Sequence, residues 1–329
     1  MTRPLMFGTV CVSLVLLNLE QSVESRIQPQ AQASFTQGRT VADQTLQDLD
    51  GQGVGALAAK PDGYLIAEGD SWFSYPGLDV LGALSGGKLS SGIRYRVYSA
   101  AKAGDTVEAM AYDGEQLEAF AAEFWKVRDA GVQNDVRAIL LSGGGNDLAG
   151  REFHILLNHA SSATGALSPL DVSLAEAFID RIGRNIESLV GTASRFGDAI
   201  LGRKDIPILI HGYAAPVPDG RPFLIGWPLP GPWLQPGFSA KGYVRDDPRD
   251  LERNTKVMAD LITRFNTRVA KIPGTLATVA DVRYVDVRGA AMNTVPGDAY
   301  KADWSNELHP RDVAFMRVAE AFQQRIAKK

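Results

Sequence analysis

Five short apolar runs mark the chain at Tyr64–Glu68, Tyr95–Ser99, Ala138–Ser142, Ile206–His211 and Val282–Val287, with turn-forming Gly, Asp or Ser residues at or near their ends. Runs this short and this apolar suit parallel strands covered on both faces. Between them, apolar residues recur at helical spacing. Leu117, Phe120, Ala121, Phe124 and Trp125 form one stripe, which stops at Gly131. A second contains Leu174, Phe178, Ile182, Ile186 and Leu189, with Ser173 and Glu176 at the spacing of a capping box. Val257, Met258, Leu261, Ile262, Phe265 and Val269 make a third, and Val313, Phe315, Val318, Phe322 and Ile326 a fourth. Alternating β and α units joined by right-handed crossovers predict an α/β fold. The expected form is a three-layer α/β/α sandwich around a central, mostly parallel five-stranded sheet. In such sheets ligands bind beyond the carboxyl ends of the strands.

Composition changes the picture mainly at the N-terminus. Arg3 followed by the almost wholly apolar Leu5–Leu19, with Val23 and Ser25 beyond it, has the layout of a cleavable export signal over residues 1–25. The run is short for a membrane span, and an uncleaved anchor is the alternative. Export predicts a secreted or periplasmic protein. The only cysteine, Cys11, lies inside this run, so a processed chain has no disulfide to form. Residues 26–63, rich in Gln, Ala, Asp and Gly without an apolar period, are expected to be a flexible arm. Residues 64–329 would then form the ordered domain. At 329 residues and 45% hydrophobic composition, the chain can bury a large core. Its 34 basic residues nearly balance 38 acidic ones and form no basic cluster, which argues against a nucleic-acid partner.

Four polar blocks fall at expected strand ends or before the last helix. They are Gly69-Asp70-Ser71, Ala103-Gly104-Asp105-Thr106, Gly143-Gly144-Gly145-Asn146-Asp147 and Asn306-Glu307-Leu308-His309-Pro310. A serine hydroxyl needs a base before it can attack a carbonyl, and a histidine delivered by the fold can be that base. Gly69 is expected to allow a tight turn that projects Ser71. Pro310 is expected at the first position of the last helix, whose positive end would help keep His309 neutral. Asp70 and Asp147 are expected to tie loops to backbone N–H groups.

The order and spacing of these blocks resemble the SGNH (GDSL) hydrolase superfamily, over roughly Tyr64 to the C-terminus. The resemblance implies a flavodoxin-like hydrolase fold, with Ser71 as nucleophile and His309 as base. It implies an oxyanion hole made of the Ser71 N–H, the Gly104 N–H and the Asn146 amide. It implies no metal or organic cofactor, and a small-molecule or glycan ester as substrate. Acyl transfer to a polysaccharide is a runner-up, and a non-catalytic binding protein of the same fold is a rival. One departure matters: the family usually carries Asp three residues before the histidine, and this chain has Asn306. Asn306 is the favoured third member, with Asp303, Glu307 or a backbone carbonyl as alternatives.

Ala214–Tyr243 carries seven prolines, along with Phe223, Trp227, Trp233 and Phe238. It is either an irregular surface loop or a wall over the crevice, and Trp72, Trp227, Trp233 and Trp304 are the expected substrate-contacting aromatics. His154 and His159 are spaced off one helical face and do not match a zinc pair. His211 is expected to pack in the core or behind the site. Gly82–Lys88 lacks the following hydroxyl of a phosphate loop, since Leu89 stands there. Oligomeric state is not legible in the sequence.

Overall fold

The computed structural model describes residues 60–150, 153–163, 168–223, 231–244, 248–293 and 297–327. The expected signal, nearly all of the expected arm, and Trp227 lie outside them. In chain order the strands and α-helices are β1 (Gly63–Gly69), α1 (Val80–Ser85), β2 (Tyr95–Ser99), α2 (Val107–Tyr112), α3 (Gly114–Asp129), β3 (Val136–Ser142), α4 (Gly145–Leu148), α5 (Val172–Leu201), β4 (Ile208–His211), α6 (Gln235–Ala240), α7 (Pro248–Val269), α8 (Ile272–Thr275), β5 (Val282–Val285) and α9 (Asp312–Ile326).

The five strands form one sheet in the order β2-β1-β3-β4-β5, and every pairing is parallel. All seven residues of β1 are buried, as both-sided coverage requires. Helices α1 and α9 pack against each other, while α2, α3, α5 and α7 form a second packed group. This is the doubly wound order in which the direction of winding changes between β1 and β3. A crevice opens at that point, outside the carboxyl ends of the strands. The turn after β1 carries Ser71, and the short helix α4 that follows β3 carries Asn146, so strand order alone brings these two residues to one place. Among the described residues, no helix is long and apolar enough to cross a membrane.

Several local expectations need correction. The cap of α5 is Asp171, whose Oδ1 accepts from Leu174 N at 3.1 Å, and not a Ser173–Glu176 box. Glu176 instead meets Arg264 at 2.6 Å. Val313 is 56% exposed, and the inward face of α9 uses Ala314, Phe315, Val318, Ala319 and Phe322. Pro310 does not open that helix. It bridges back to Trp304, and Arg311 N donates to Asp303 O at 2.7 Å, so α9 starts at Asp312. Gly69 is required for close approach: a Cβ there would stand 2.7 Å from the Ser142 Cβ, its register partner on β3. The turn that does need positive φ is at Gly144 (φ 108°), which caps α4 at its N-terminal end and aims Asn146.

Candidate active site

Ser71 lies in the turn that follows β1, and Asp70 shapes that turn. The Asp70 Oδ1 accepts from Trp72 N at 3.0 Å, so the chain folds back immediately after the serine. His309 arrives from the loop before α9. That loop is closed by Ser305 N donating to His309 O at 2.9 Å and by the Trp304–Pro310 bridge. From the other side, Trp72 Nε1 donates to Leu308 O at 3.2 Å. The result places His309 Nε2 2.7 Å from Ser71 Oγ.

Asn306 settles which nitrogen carries the proton. Its Oδ1 stands 2.9 Å from Leu308 N, 2.9 Å from His309 N and 3.0 Å from His309 Nδ1. Two of those neighbours are backbone N–H groups, which can only donate. The amide must therefore present its oxygen there, and Nδ1 must be the protonated nitrogen of the ring. That leaves Nε2 with a lone pair facing the Ser71 hydroxyl. Asn306 Nδ2 donates outward to Tyr75 Oη at 3.2 Å, and the Tyr75 hydroxyl donates to Ser305 Oγ at 3.4 Å. The Tyr75 ring stacks on the imidazole, centroids 4.4 Å apart. Tyr75 is a residue that sequence reasoning missed. Its only signal in the sequence is its place four positions after Ser71.

The alternative carboxylates are occupied elsewhere. Asp303 accepts from Arg317 Nη1 at 2.8 Å and from Met292 N at 2.9 Å. Glu307, fully buried, accepts four backbone N–H groups: Gly220 and Gln235 on Oε1 at 2.9 and 3.0 Å, Trp233 and Leu234 on Oε2 at 2.7 and 2.9 Å. Burial pushes this carboxyl up, while the four N–H groups pull it down. Glu307 thus pins the proline- and tryptophan-rich segment to the histidine loop. Arg221 adds to this by donating to Trp304 O at 2.8 Å.

Asn146 lines the same small cavity as Ser71, and its Nδ2 donates to Asp105 O at 2.9 Å. Asp147, pushed up to about 6 by burial, accepts from Val107 N at 3.0 Å and so ties α4 to the first residue of α2, just past the loop after β2. Gly104 lies on that loop, exposed, with φ 95°. Trp72 and Trp304 line the cavity, but both are mostly buried, and Trp304 Nε1 is committed to Met292 O at 2.7 Å. Trp233 meets the His309 ring edge-on at 5.4 Å. Three of the four expected aromatics are therefore at the site, and Trp227 lies outside the described residues. Among the described residues, no cluster of His, Cys, Asp or Glu could hold a metal ion.

Burial governs the electrostatics of His309. His309 is 6% exposed, and desolvation pushes its pKa down from 6.5 to about 3. At neutral pH the ring is an uncharged acceptor. Chemically, the arrangement can take a proton from a serine hydroxyl and hold the resulting ring in one orientation.

No protein-family model matches the sequence, and no curated protein is significantly similar to it. Similar solved structures include a GDSL-like lipase from Bacteroides thetaiotaomicron, at 13% identity and TM-score 0.38, covering 82% of this chain and 92% of that one. An acetylxylan esterase from Geobacillus stearothermophilus is 14% identical with TM-score 0.36, covering 82% and 97%. An α/β hydrolase from the metagenome of Lake Arreo is 13% identical with TM-score 0.36, covering 82% and 96%. Likeness at this level carries no activity across, so what this chain does rests on its own residues.

The buried ring sets a pH dependence. In the unfolded chain a histidine binds its proton near pH 6.5, and here only near 3. Between those values the unfolded state holds more protons, so this group's contribution to stability is lost as pH falls through that window. An NMR titration of His309 is expected to find the ring neutral through the whole range above pH 4. In Asn306→Asp the new carboxylate should raise the midpoint by about one unit or more. A midpoint that does not move would contradict the Asn306–Nδ1 contact.

Proposed function

We propose that this protein is an exported serine hydrolase of the SGNH type that cleaves carboxylic esters through an acyl-enzyme intermediate. The observation that carries the reading is the hydrogen-bonded line Ser71 Oγ, His309 Nε2, His309 Nδ1, Asn306 Oδ1, with contacts of 2.7 and 3.0 Å. Ser71 Oγ attacks the ester carbonyl carbon as its proton passes to His309 Nε2. The imidazolium then gives that proton to the departing alcohol oxygen as the C–O bond breaks. Water attacks the acyl-serine next, His309 takes its proton, and Oγ recovers a proton as the carboxylic acid leaves.

The Ser71 N–H, the Gly104 N–H and the second hydrogen of the Asn146 amide are assigned to the oxyanion. Losing one such donor typically costs about 3 kcal/mol, a hundredfold or more in rate. Asn306 fixes the tautomer without contributing a charge to the imidazolium. An amide in this position fails when it turns its NH2 toward the ring and selects the wrong tautomer. The two backbone donors on Oδ1 support the opposite orientation here.

The cavity beside Ser71 bears on the acyl group. Its volume is about 40 Å³, with walls that include Leu148, Ala149, Pro216, Leu234, Met258 and Ile262. At roughly 10–15 Å³ per water-sized group, this holds about three or four such groups, room for a short acyl chain. Acetyl and propionyl esters are therefore the favoured substrates.

Two measurements follow. A fluorophosphonate is expected to add once to the wild-type protein by intact mass and not to Ser71→Ala. A folded wild type that takes no adduct would remove the nucleophile. Separately, kcat/KM for acetyl esters should exceed that for octanoyl esters by about tenfold or more, and Met258→Ala should narrow the gap. Equal rates on both would take the acyl group out of this cavity while leaving the nucleophile standing.

A further inference from the structure

Behind the Ser71 turn lies a second line of polar groups that the proposed reaction does not use. Asp70 Oδ1 accepts from Ser142 Oγ at 2.7 Å, and Asp70 Oδ2 accepts from the Tyr213 hydroxyl at 2.6 Å. His211 Nε2 stands 2.8 Å from the same Ser142 Oγ, and His211 Nδ1 faces the carbonyl oxygen of Gly212. Asp70, Ser142 and His211 are all at most 2% exposed. They come from the carboxyl ends of β1, β3 and β4, so this line joins three strands directly under the turn.

Counting hydrogens gives a definite result. A carbonyl oxygen only accepts, so His211 Nδ1 must carry a proton. Ser142 has one hydroxyl hydrogen to meet both Asp70 Oδ1 and His211 Nε2, with the Tyr213 hydroxyl also in reach. With Asp70 ionised and His211 neutral, one of those contacts would set lone pair against lone pair in a buried site. Such an unmatched contact is expensive where water cannot intervene. One more proton is needed, on His211 Nε2 or on Asp70 Oδ1. Either placement satisfies every contact and leaves the pair with no net charge.

We propose that Asp70, Ser142 and His211 jointly hold one proton at neutral pH, and that this neutral line positions the turn bearing Ser71. The surroundings suit it. Trp72 and Phe73 stack on the His211 ring at 5.6 and 5.8 Å, and Tyr213 and Phe322 approach by edge at 5.0 and 5.4 Å. Aromatic faces tolerate a cation that bulk apolar packing does not. Burial pushes the His211 imidazole down and outweighs the Asp70 charge and the Gly212 carbonyl, which push it up, so the case for the proton is the hydrogen count. The titratable groups facing His211 are Asp70 and Tyr213, and the Asp70 charge pushes up Tyr213 and, on the neighbouring loops, Asp105 and Asp147. The same Asp70 carboxylate that accepts from Tyr213 and Ser142 also accepts from Trp72 N, so slack in the line reaches Ser71 through two bonded neighbours. The positioning half of this proposal rests on Ser71 being the nucleophile; the proton count does not.

The test is an NMR proton inventory of the wild-type protein at pH 7, with ¹⁵N-labelled histidine and ¹³C-labelled aspartate. The chain has four histidines, and His211→Gln and Asp70→Asn assign the relevant signals. The expected result is a His211 ring protonated on both nitrogens, or a neutral ring beside a protonated Asp70 carboxyl. A neutral His211 beside an ionised Asp70 overturns the proposal, whatever the activity. For the positioning role, His211→Gln supplies an uncharged donor to Ser142 and should keep kcat within a few-fold. His211→Leu should lower kcat tenfold or more with little change in KM. Equal kcat in the two variants would overturn that role.

Discussion

Everything at the site depends on one oxygen atom, Asn306 Oδ1, and on the three donors that surround it. Leu308 N and His309 N hold the amide in one orientation because backbone N–H groups cannot accept. That orientation makes His309 Nδ1 the protonated nitrogen, and it turns the Nε2 lone pair toward Ser71. The constraint is local, spanning four residues, yet it fixes the protonation state of a ring whose partner lies on the opposite end of the domain. A carboxylate in this place would accept the same three hydrogen bonds and add a charge. The amide keeps the geometry and leaves charge to be handled by burial, which holds the ring neutral.

The loop that carries this amide is braced on all sides, and that bracing explains why a short irregular segment can hold a base to within hydrogen-bonding distance. Glu307 spends both carboxylate oxygens on backbone N–H groups of Gly220 and Trp233–Gln235, Trp72 holds Leu308 O, and Tyr75 stacks against the imidazole. A buried carboxylate with four donors is stable only because they are all present. The proline- and tryptophan-rich segment is therefore part of the site's frame, and its Trp233 ring reaches the base.

The fold was legible because its signals are local and periodic. The five apolar runs became the five strands, with ends shifted by at most two residues, and the helical stripes found their helices. Boundaries failed where a neighbour outside the window decided them. Pro310 looks like a helix start, but its bridge to Trp304 delays α9 to Asp312. Asp171 outcompeted Ser173 as a cap. At the site, Ser71 is legible in a polar block at a strand end, Asn306 and His309 in a block before the last helix, and Asn306 is the favoured partner of the histidine. What stayed hidden was tertiary in origin. Nothing near Tyr75 in the sequence marks it as a stacking partner of His309. Glu307 reads as a candidate carboxylate for the histidine because its four donors lie 72 to 87 residues away in the chain. Ser142 and His211 read as strand residues, and only the parallel register of β1, β3 and β4 places them beneath Asp70.

The most direct test of the central claim, that Ser71 and His309 act as one unit, is a double-mutant comparison. Turnover of an acetate ester would be measured for Ser71→Ala, His309→Ala and the two combined. Residues acting as a unit are strongly non-additive, so each single variant should lose about a thousandfold or more and the double variant no more than either. Losses that multiply in the double variant, or a Ser71→Ala protein that turns over like the wild type, would contradict it.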